Sequence, residues 1–281
     1  MDTPSIDERR AAFRQLHASG CFVIPNPWDP GSARWLAQLG FKALATTSSG
    51  YAFSRGEADG AIAVDEVLRY CREMVVATAL PVNADFEDGH ARDLRELATN
   101  VRRCVDTGVA GLSIEDATGD AAQPLYALDD AVARLRAARQ AIDASGQDVL
   151  LVGRAECFLT GHPQPLEEAL RRLVAYAGAG ADCLYAPGLA TREQIAAVVA
   201  AVAPKPVNVL MGAAAPFTVA ALAALGVRRI SVGGALARAA WTGFMAAAKP
   251  LAEGRFDGLA NLVAHGELNQ RFKHAPTPRD R

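Results

Sequence analysis

Residues 81–116 read PVNADFEDGHARDLRELATNVRRCVDTGVAGLSIED and contain a complete strand–helix–strand unit. Pro81-Val82-Asn83-Ala84-Asp85 and Gly111-Leu112-Ser113-Ile114-Glu115 are short enough to be buried parallel strands. Between them, Asp93 to Thr107 places Leu94, Leu97, Val101 and Cys104 near one face of a helix. Gly108 falls where that helix must stop before the next strand, the usual place for a residue at positive φ.

The same unit recurs along the chain. Further strands are expected at Phe22–Pro25, Ala43–Thr47, Val149–Arg154, Cys183–Ala186, Val207–Leu210 and Arg229–Val232, making eight units in all. Ala61 to Leu80 has helical periodicity, and Gly40, Gly180 and Gly226 repeat the stop signal of Gly108. Strict alternation of strand and helix admits an open doubly wound sheet or a closed barrel, and eight units favour the barrel. No GxGxxG follows the first strand and no GxxxxGK[ST] occurs, so nucleotide-binding open sheets lose their main support. The expected architecture is a (β/α)8 TIM barrel, one domain over residues 1–281, with 255–281 as a C-terminal extension. Ala235 to Leu251 is a helix of mostly small residues with Trp241 and Phe244 as knobs, suited to a subunit contact or to an ordinary barrel helix. Phe256 to Phe272 reads as a short helical extension, and Arg271 to Arg281, with Pro276 and Pro278, as a frayed tail.

Bulk properties agree with this class. A length of 281 residues suits a barrel, and 51% hydrophobic against 21% charged residues supports a sizeable core rather than disorder. A net charge of −2 without a dense basic run leaves no footprint for nucleic acid. Charges interrupt every apolar segment before it reaches membrane-spanning length, and Met1 to Arg10 is polar and acidic rather than signal-like, so a cytoplasmic location is expected. Cys21, Cys71, Cys104, Cys157 and Cys183 lack CxxC spacing and read as reduced thiols, without disulfide or zinc.

A barrel of this kind carries its chemistry at the C-terminal ends of its strands. Period-two alternation puts Asn83 and Asp85 on one side of the third strand, and Ser113 and Glu115 on one side of the fourth. Two carboxylates and a carboxamide are therefore expected to meet at the mouth. Hard oxygen donors without His or Cys are what Mg2+ prefers, with Mn2+ able to replace it. Helix capping would explain Asp88, but not Asp85 and Glu115 together. Arg154, in Gly153-Arg154-Ala155-Glu156, can hold a substrate carboxylate through two parallel bonds or pair with Glu156 to close the mouth. The run Thr46-Thr47-Ser48-Ser49-Gly50 offers backbone N–H groups and hydroxyls to a carboxylate or enolate oxygen. Trp28, Asp29 and Asn208 stand at the right end of their strands, with structural roles equally open, and His90 reads as a solvent-exposed side chain.

Asn83-Ala84-Asp85 with its acidic glycine turn, followed by Gly111-Leu112-Ser113-Ile114-Glu115-Asp116, resembles the metal-binding strands of one superfamily. Its members include isocitrate lyase, 2-methylisocitrate lyase, phosphoenolpyruvate mutase, phosphonopyruvate hydrolase and oxaloacetate decarboxylases. The resemblance runs in order over roughly residues 15 to 250. It implies a metal cluster of Asp59, Asp85 and Glu115 acting largely through water, and a substrate site of Thr47, Ser48, Ser49, Arg154 and Asn208, to which Trp28 is added from its place after the first strand. Arg154, Asp59, Asn83 and Glu115 are the implied catalytic group. It also implies a homo-oligomer, dimer or tetramer, in which the eighth helix is swapped between subunits.

The chain departs from that pattern in three places. Asn83 stands where the superfamily's leading metal-cluster aspartate would, removing a charge while keeping a carbonyl that can accept from metal-bound water. The loop Ala117-Thr118-Gly119-Asp120-Ala121-Ala122-Gln123-Pro124 lacks the cysteine that serves isocitrate and methylisocitrate lyases as catalytic acid. It also lacks a Lys or Arg to hold a phosphonate. The expected function is a Mg2+-dependent lyase that cleaves a C–C bond of a small 2-oxo or 2-hydroxy carboxylic acid such as oxaloacetate, through a stabilised enolate. Tyr51, Ser113 and a bound water all stay open as the final proton donor. The alternatives are a phosphonopyruvate mutase or hydrolase, and a non-catalytic 2-oxo acid binding protein.

Overall fold

The computed structural model describes residues 3–273. Eight strands run β1 (Phe22–Ile24), β2 (Leu44–Ala45), β3 (Val82–Asp85), β4 (Gly111–Glu115), β5 (Leu150–Arg154), β6 (Cys183–Tyr185), β7 (Val207–Leu210) and β8 (Arg229–Ser231). They form a parallel sheet in the order β1-β8-β7-β6-β5-β4-β3-β2, so first and last in that order are neighbours in sequence. The seam between β1 and β2 is held by the Ala45 N–H, which donates to the Pro25 carbonyl at 3.0 Å. Asn26 staples the same place: its Nδ2 donates to the Thr46 carbonyl, while its Oδ1 accepts from the N–H groups of Val232 and Gly233, all at 2.9 Å. One buried carboxamide thus ties three strands into a nearly closed (β/α)8 barrel.

Helices fill the spaces between strands: α1 (Ile6–Ala18), α2 (Pro30–Gln38), α3 (Ser48–Arg55), α4 (Val64–Ala77), α5 (Leu94–Val105), α6 (Leu128–Ala144), α7 (Pro165–Gly178), α8 (Arg192–Val202), α9 (Val219–Ala224), α10 (Ala235–Ala252) and α11 (His265–Lys273). Asp93 starts α5 by accepting from the N–H groups of Arg95 and Glu96, satisfying two donors that the first turn leaves free. The helix buries Leu97, Val101 and Cys104, as its periodicity predicts. Leu94 differs: in the first turn of α5 it stays 44% exposed, beyond the reach of the core.

The floor of the barrel is apolar and its centre is polar. Phe13 of α1 packs with Ala43, Ala110 and Leu150, at the N-terminal ends of β2, β4 and β5, and with Ile24 and Ala45. Above that plug, Arg229 donates from Nε to Asn208 Oδ1 at 2.9 Å and from Nη1 to Asn83 Oδ1 at 3.3 Å, and Asn208 donates to Ser231 Oγ at 3.0 Å. Gly111 makes room for this layer, since a Cβ there would lie 2.7 Å from Asn83 Oδ1 and 2.8 Å from Phe13 Cε1. Burial alone lowers the Arg229 pKa.

The C-terminal arm is the least covered part of the chain. Ala237 is the one buried residue of α10, whereas Phe244, Met245, Phe256, Leu262 and Val263 are exposed. The expected extension appears as a short 3-10 turn, Asp257–Leu259, followed by α11. The start of the expected frayed tail is ordered instead. Arg271 lies 4.2 Å above the Trp35 ring, and its carbonyl accepts from Gln38 Nε2 at 2.8 Å. Residues 274–281, the rest of that tail, lie outside the described residues, as do Met1 and Asp2. Among the described residues no helix is long and apolar enough to cross a membrane.

Candidate active site

Parallel pairing brings the ends of β3, β4 and β5 side by side, with Asp85 opposite Ser113 and Glu115 opposite Arg154. The Arg154 guanidinium sits among the acids. Its Nη1 lies 2.9 Å from Glu115 Oε2 and 3.1 Å from Asp85 Oδ1, and its Nε donates to Glu156. The Tyr185 ring lies beneath it, 5.3 Å from centroid to Cζ. Asp85 is fixed from the other side: Ser48 N–H, at the start of α3, donates to its Oδ2 at 3.1 Å, and its own N–H donates to Thr46 Oγ1 at 2.7 Å. These groups open into a cavity of about 1030 Å³ whose walls include Ser48, Asp59, Glu87, Glu115, Tyr126 and Arg154.

Negative charge is in excess here. Burial raises Glu87 to about 8, helped by Asp85, Asp59 and Asp88. Glu115 is pushed well above the carboxylate range by burial and by its acidic neighbours, against the pull of Arg154, and burial also raises Asp59. Arg154 stays charged because Glu115, Glu156 and Asp85 outweigh the cost of its burial. One guanidinium cannot balance Asp59, Asp85, Glu87, Glu115 and Glu156, so a divalent cation would relieve the site. An all-oxygen donor set suits Mg2+. Among the described residues no three acids converge closely enough to hold an ion by themselves, so an ion here would have to complete its coordination with water.

Of the residues singled out from sequence, Ser48, Asp59, Asp85, Glu115 and Arg154 come together at the mouth. Others do not. Asn83 and Asn208 are buried one layer lower and bonded to Arg229, because two residues along a strand carry a side chain one layer down the barrel. Thr47 caps α3, accepting from Gly50 N–H at 3.2 Å, and Ser49 faces Thr47 at 3.3 Å. Trp28 leads into α2, where its N–H donates to Ser32 Oγ at 3.1 Å. Tyr51 donates to Glu66 and Ser113 to the Ala84 carbonyl, so both candidate proton donors have their protons engaged, and neither lines the cavity.

Glu87 joins the acids from the turn after β3, and sequence reasoning passed over it. The alternation that paired Asn83 with Asp85 reaches Glu87 at the next step, so the signal was present. His90 is another difference: it is half-buried in the cavity wall, edge-on to Phe86 at 5.2 Å, rather than free in solvent. Both Glu87 and His90 adopt left-handed backbone, at φ 47° and 50°. The turn is clamped from behind. Arg134 donates to the carbonyls of Asp88 at 2.6 Å and Ala91 at 2.7 Å, and Asn100 to those of Gly89 at 3.2 Å and His90 at 3.0 Å. No local pattern links α5 and α6 to this turn, so neither clamp was readable beforehand.

The chain matches the model of the phosphoenolpyruvate phosphomutase family over residues 13–252. It is 35% identical over 207 residues to an oxaloacetate decarboxylase of Rhodopseudomonas palustris (strain BisB5), covering 69% of this chain and 68% of that one. A candidate lyase/mutase from Burkholderia cenocepacia J2315 superposes with a TM-score of 0.92 at 46% identity, covering 97% of this chain and 98% of its own. An oxaloacetate acetylhydrolase solved with its product oxalate gives a TM-score of 0.84 at 25% identity, over 96% of this chain and 95% of its own. Another oxaloacetate acetylhydrolase structure, also 25% identical, contains the inhibitor 3,3-difluorooxalacetate.

Proposed function

This chain belongs to the phosphoenolpyruvate phosphomutase family, and from that premise we propose that it is a Mg2+-dependent lyase cleaving a C–C bond of a small 2-oxo or 2-hydroxy carboxylic acid. The observation that carries the reading is the Arg154 guanidinium held between Asp85 and Glu115, with Ser48 N–H alongside, at the base of an open cavity. Asp59, Asp85, Glu87 and Glu115 would hold the cation through its waters. When bound, the ion supplies a Lewis acid that draws off charge developing on the 2-oxo oxygen. Arg154 turns from its acids to the substrate carboxylate, which its planar fork suits. Ser48 N–H, at a helix N-terminus, faces the same anion. In oxaloacetate the bond to the distal carboxylate breaks, CO2 leaves, and the enolate left behind takes a proton to become pyruvate.

An oxaloacetate decarboxylase among the relatives makes oxaloacetate the first substrate to try. Oxalate and 3,3-difluorooxalacetate, ligands of structural relatives, are the corresponding binding probes. The experiment is pyruvate formation from oxaloacetate and a panel of 2-hydroxy di- and tricarboxylates, with Mg2+ or with EDTA, after subtracting the metal's own decarboxylation. Metal-dependent turnover abolished in Asp85→Ala and Arg154→Ala is the expected result. Inactivity across the panel, or full activity of Asp85→Ala without added metal, rejects the assignment.

The reading extends to assembly. The uncovered apolar side of α10, with Trp241, Phe244 and Met245, would be buried against a second copy of the chain in a helix-swapped dimer or tetramer. Phe244→Glu, measured by light scattering, is expected to lower the oligomer mass; an unchanged mass argues against that contact.

A further inference from the structure

The β3–α5 turn does more than deliver Glu87. It continues through His90 and Arg92, which form the part of the cavity wall beyond the acids. His90 belongs to the cavity wall, and its Nε2, shielded from water, has no hydrogen-bond partner among the described residues. A shielded nitrogen without a partner is costly, and a ligand group that reached it would relieve that cost. Arg92 gives Glu96 only its backbone N–H, at 3.1 Å, and among the described residues its guanidinium makes no ion pair. Glu96 and Asp120 share this rim, so the wall is of mixed charge, and Arg92 is its cation. The loop after β4 contributes none: it folds on itself, with Thr118 N–H donating to the Pro124 carbonyl at 3.1 Å.

Strain points the same way. Left-handed backbone at a non-glycine residue persists where surrounding structure enforces it, and such positions concentrate at ligand sites. Here the buried Arg134 and Asn100 take up the carbonyls of four successive residues, 88 to 91, and so fix the direction of His90 and the start of Arg92. A turn anchored this firmly presents a preformed surface rather than one assembled on binding.

We propose that His90 and Arg92 form the subsite for the distal carboxylate of a four-carbon 2-oxo dicarboxylate, setting the chain length this site accepts. The inference rests on the lyase reading above and refines it. Arg154 and Ser48 take the 2-oxo acid end, which every candidate substrate shares. Arg92 supplies the charge, and the His90 imidazole the hydrogen bond, for the far end.

Two probes separate the ends. Oxalate matches the shape of a pyruvate enolate and stops short of the subsite, whereas 3,3-difluorooxalacetate carries the distal carboxylate. Binding of each is measured by calorimetry with Mg2+ present, to the wild type, Arg92→Gln and Arg92→Lys. Arg92→Gln is expected to weaken 3,3-difluorooxalacetate about 10-fold or more while oxalate stays within about twofold, and Arg92→Lys to recover part of the loss. His90→Asn tolerates the left-handed backbone and keeps a donor, so it is expected to weaken the longer probe less than His90→Ala. Equal losses for both probes, or none for either, overturn the subsite while leaving the lyase reading intact. Phosphonopyruvate bound more tightly than the dicarboxylate through Arg92 overturns the carboxylate assignment. Failure of the wild type to bind either probe removes the lyase reading and this inference together.

Discussion

Nη1 of Arg229 lies 3.3 Å from Oδ1 of Asn83, beneath the acids of the mouth and out of contact with solvent. The carboxamide therefore serves a fully buried cation that makes no ion pair among the described residues. Asn83→Asp is expected to pair with Arg229 and stabilise the metal-free protein by about 1–2 kcal/mol, read by denaturant unfolding. Mg2+ affinity, by calorimetry, should change less than about tenfold, or 1.4 kcal/mol. A large gain in affinity without a gain in stability would place residue 83 in the metal cluster after all.

Arg154 is the cation common to Asp85, Glu115 and Glu156. Removing it strands these acids in a low-dielectric site, so Arg154→Met is expected to cost about 3–5 kcal/mol of stability. Mg2+ should recover a larger share of this loss in the variant than it adds to the wild type, because it would supply the missing positive charge. Arg154→Lys keeps the charge but not the fork, and kcat/KM on oxaloacetate should fall by roughly 100-fold. Near-normal turnover in Arg154→Lys would show that bidentate geometry is dispensable.

How much of this could be read from the chain depends on the range of the interaction. The strands after Pro81 and Val149 and the helix after Asp93 are legible because alternation, stripe and cap are local. Asp85, Glu115 and Arg154 follow once the barrel is inferred, since strand ends converge there. The layer on which Asn83 and Asn208 sit is not legible, because polarity at a strand does not reveal it. Their partner Arg229 opens β8, far along the chain, where nothing local marks a buried cation. His90 misleads for a related reason: only the clamps from α5 and α6 make a polar turn residue into a wall.

Those clamps make a separate prediction. Arg134 and Asn100 hold one turn from two helices, and Arg134 also lies 4.3 Å over the Tyr126 ring, whose hydroxyl donates to Asp88 at 3.0 Å. Arg134→Met and Asn100→Ala are each expected to cost about 2–3 kcal/mol, by the carbonyls left without a donor. Since both act on the same few residues, the double variant should lose less than the sum by at least about 0.5 kcal/mol. Strict additivity in a denaturant-unfolding cycle would mean that the two act on independent structures.

His17 is expected to make the fold sensitive to acid. Its Nδ1 lies 2.8 Å from the Phe13 carbonyl and must donate to it, which leaves Nε2 unprotonated, shielded and without a partner among the described residues. Burial, with Arg229 next in effect, depresses its pKa to about 3 from the ordinary 6.5. Above pH 6.5 the imidazole is neutral whether the chain is folded or not, and it adds no pH dependence. Below that value the unfolded chain binds a proton that the folded one refuses, so stability falls as pH drops from 6.5 towards 3. The full loss is on the order of 4 kcal/mol by the lower end of that range. His17→Phe keeps a ring between Phe13 and Phe22 but cannot titrate. Its stability relative to wild type should therefore improve steadily below pH 6.5, whatever the other acids contribute to both proteins. Parallel stability curves for the two proteins between pH 7.5 and about pH 4.5 would assign the acid sensitivity to other groups.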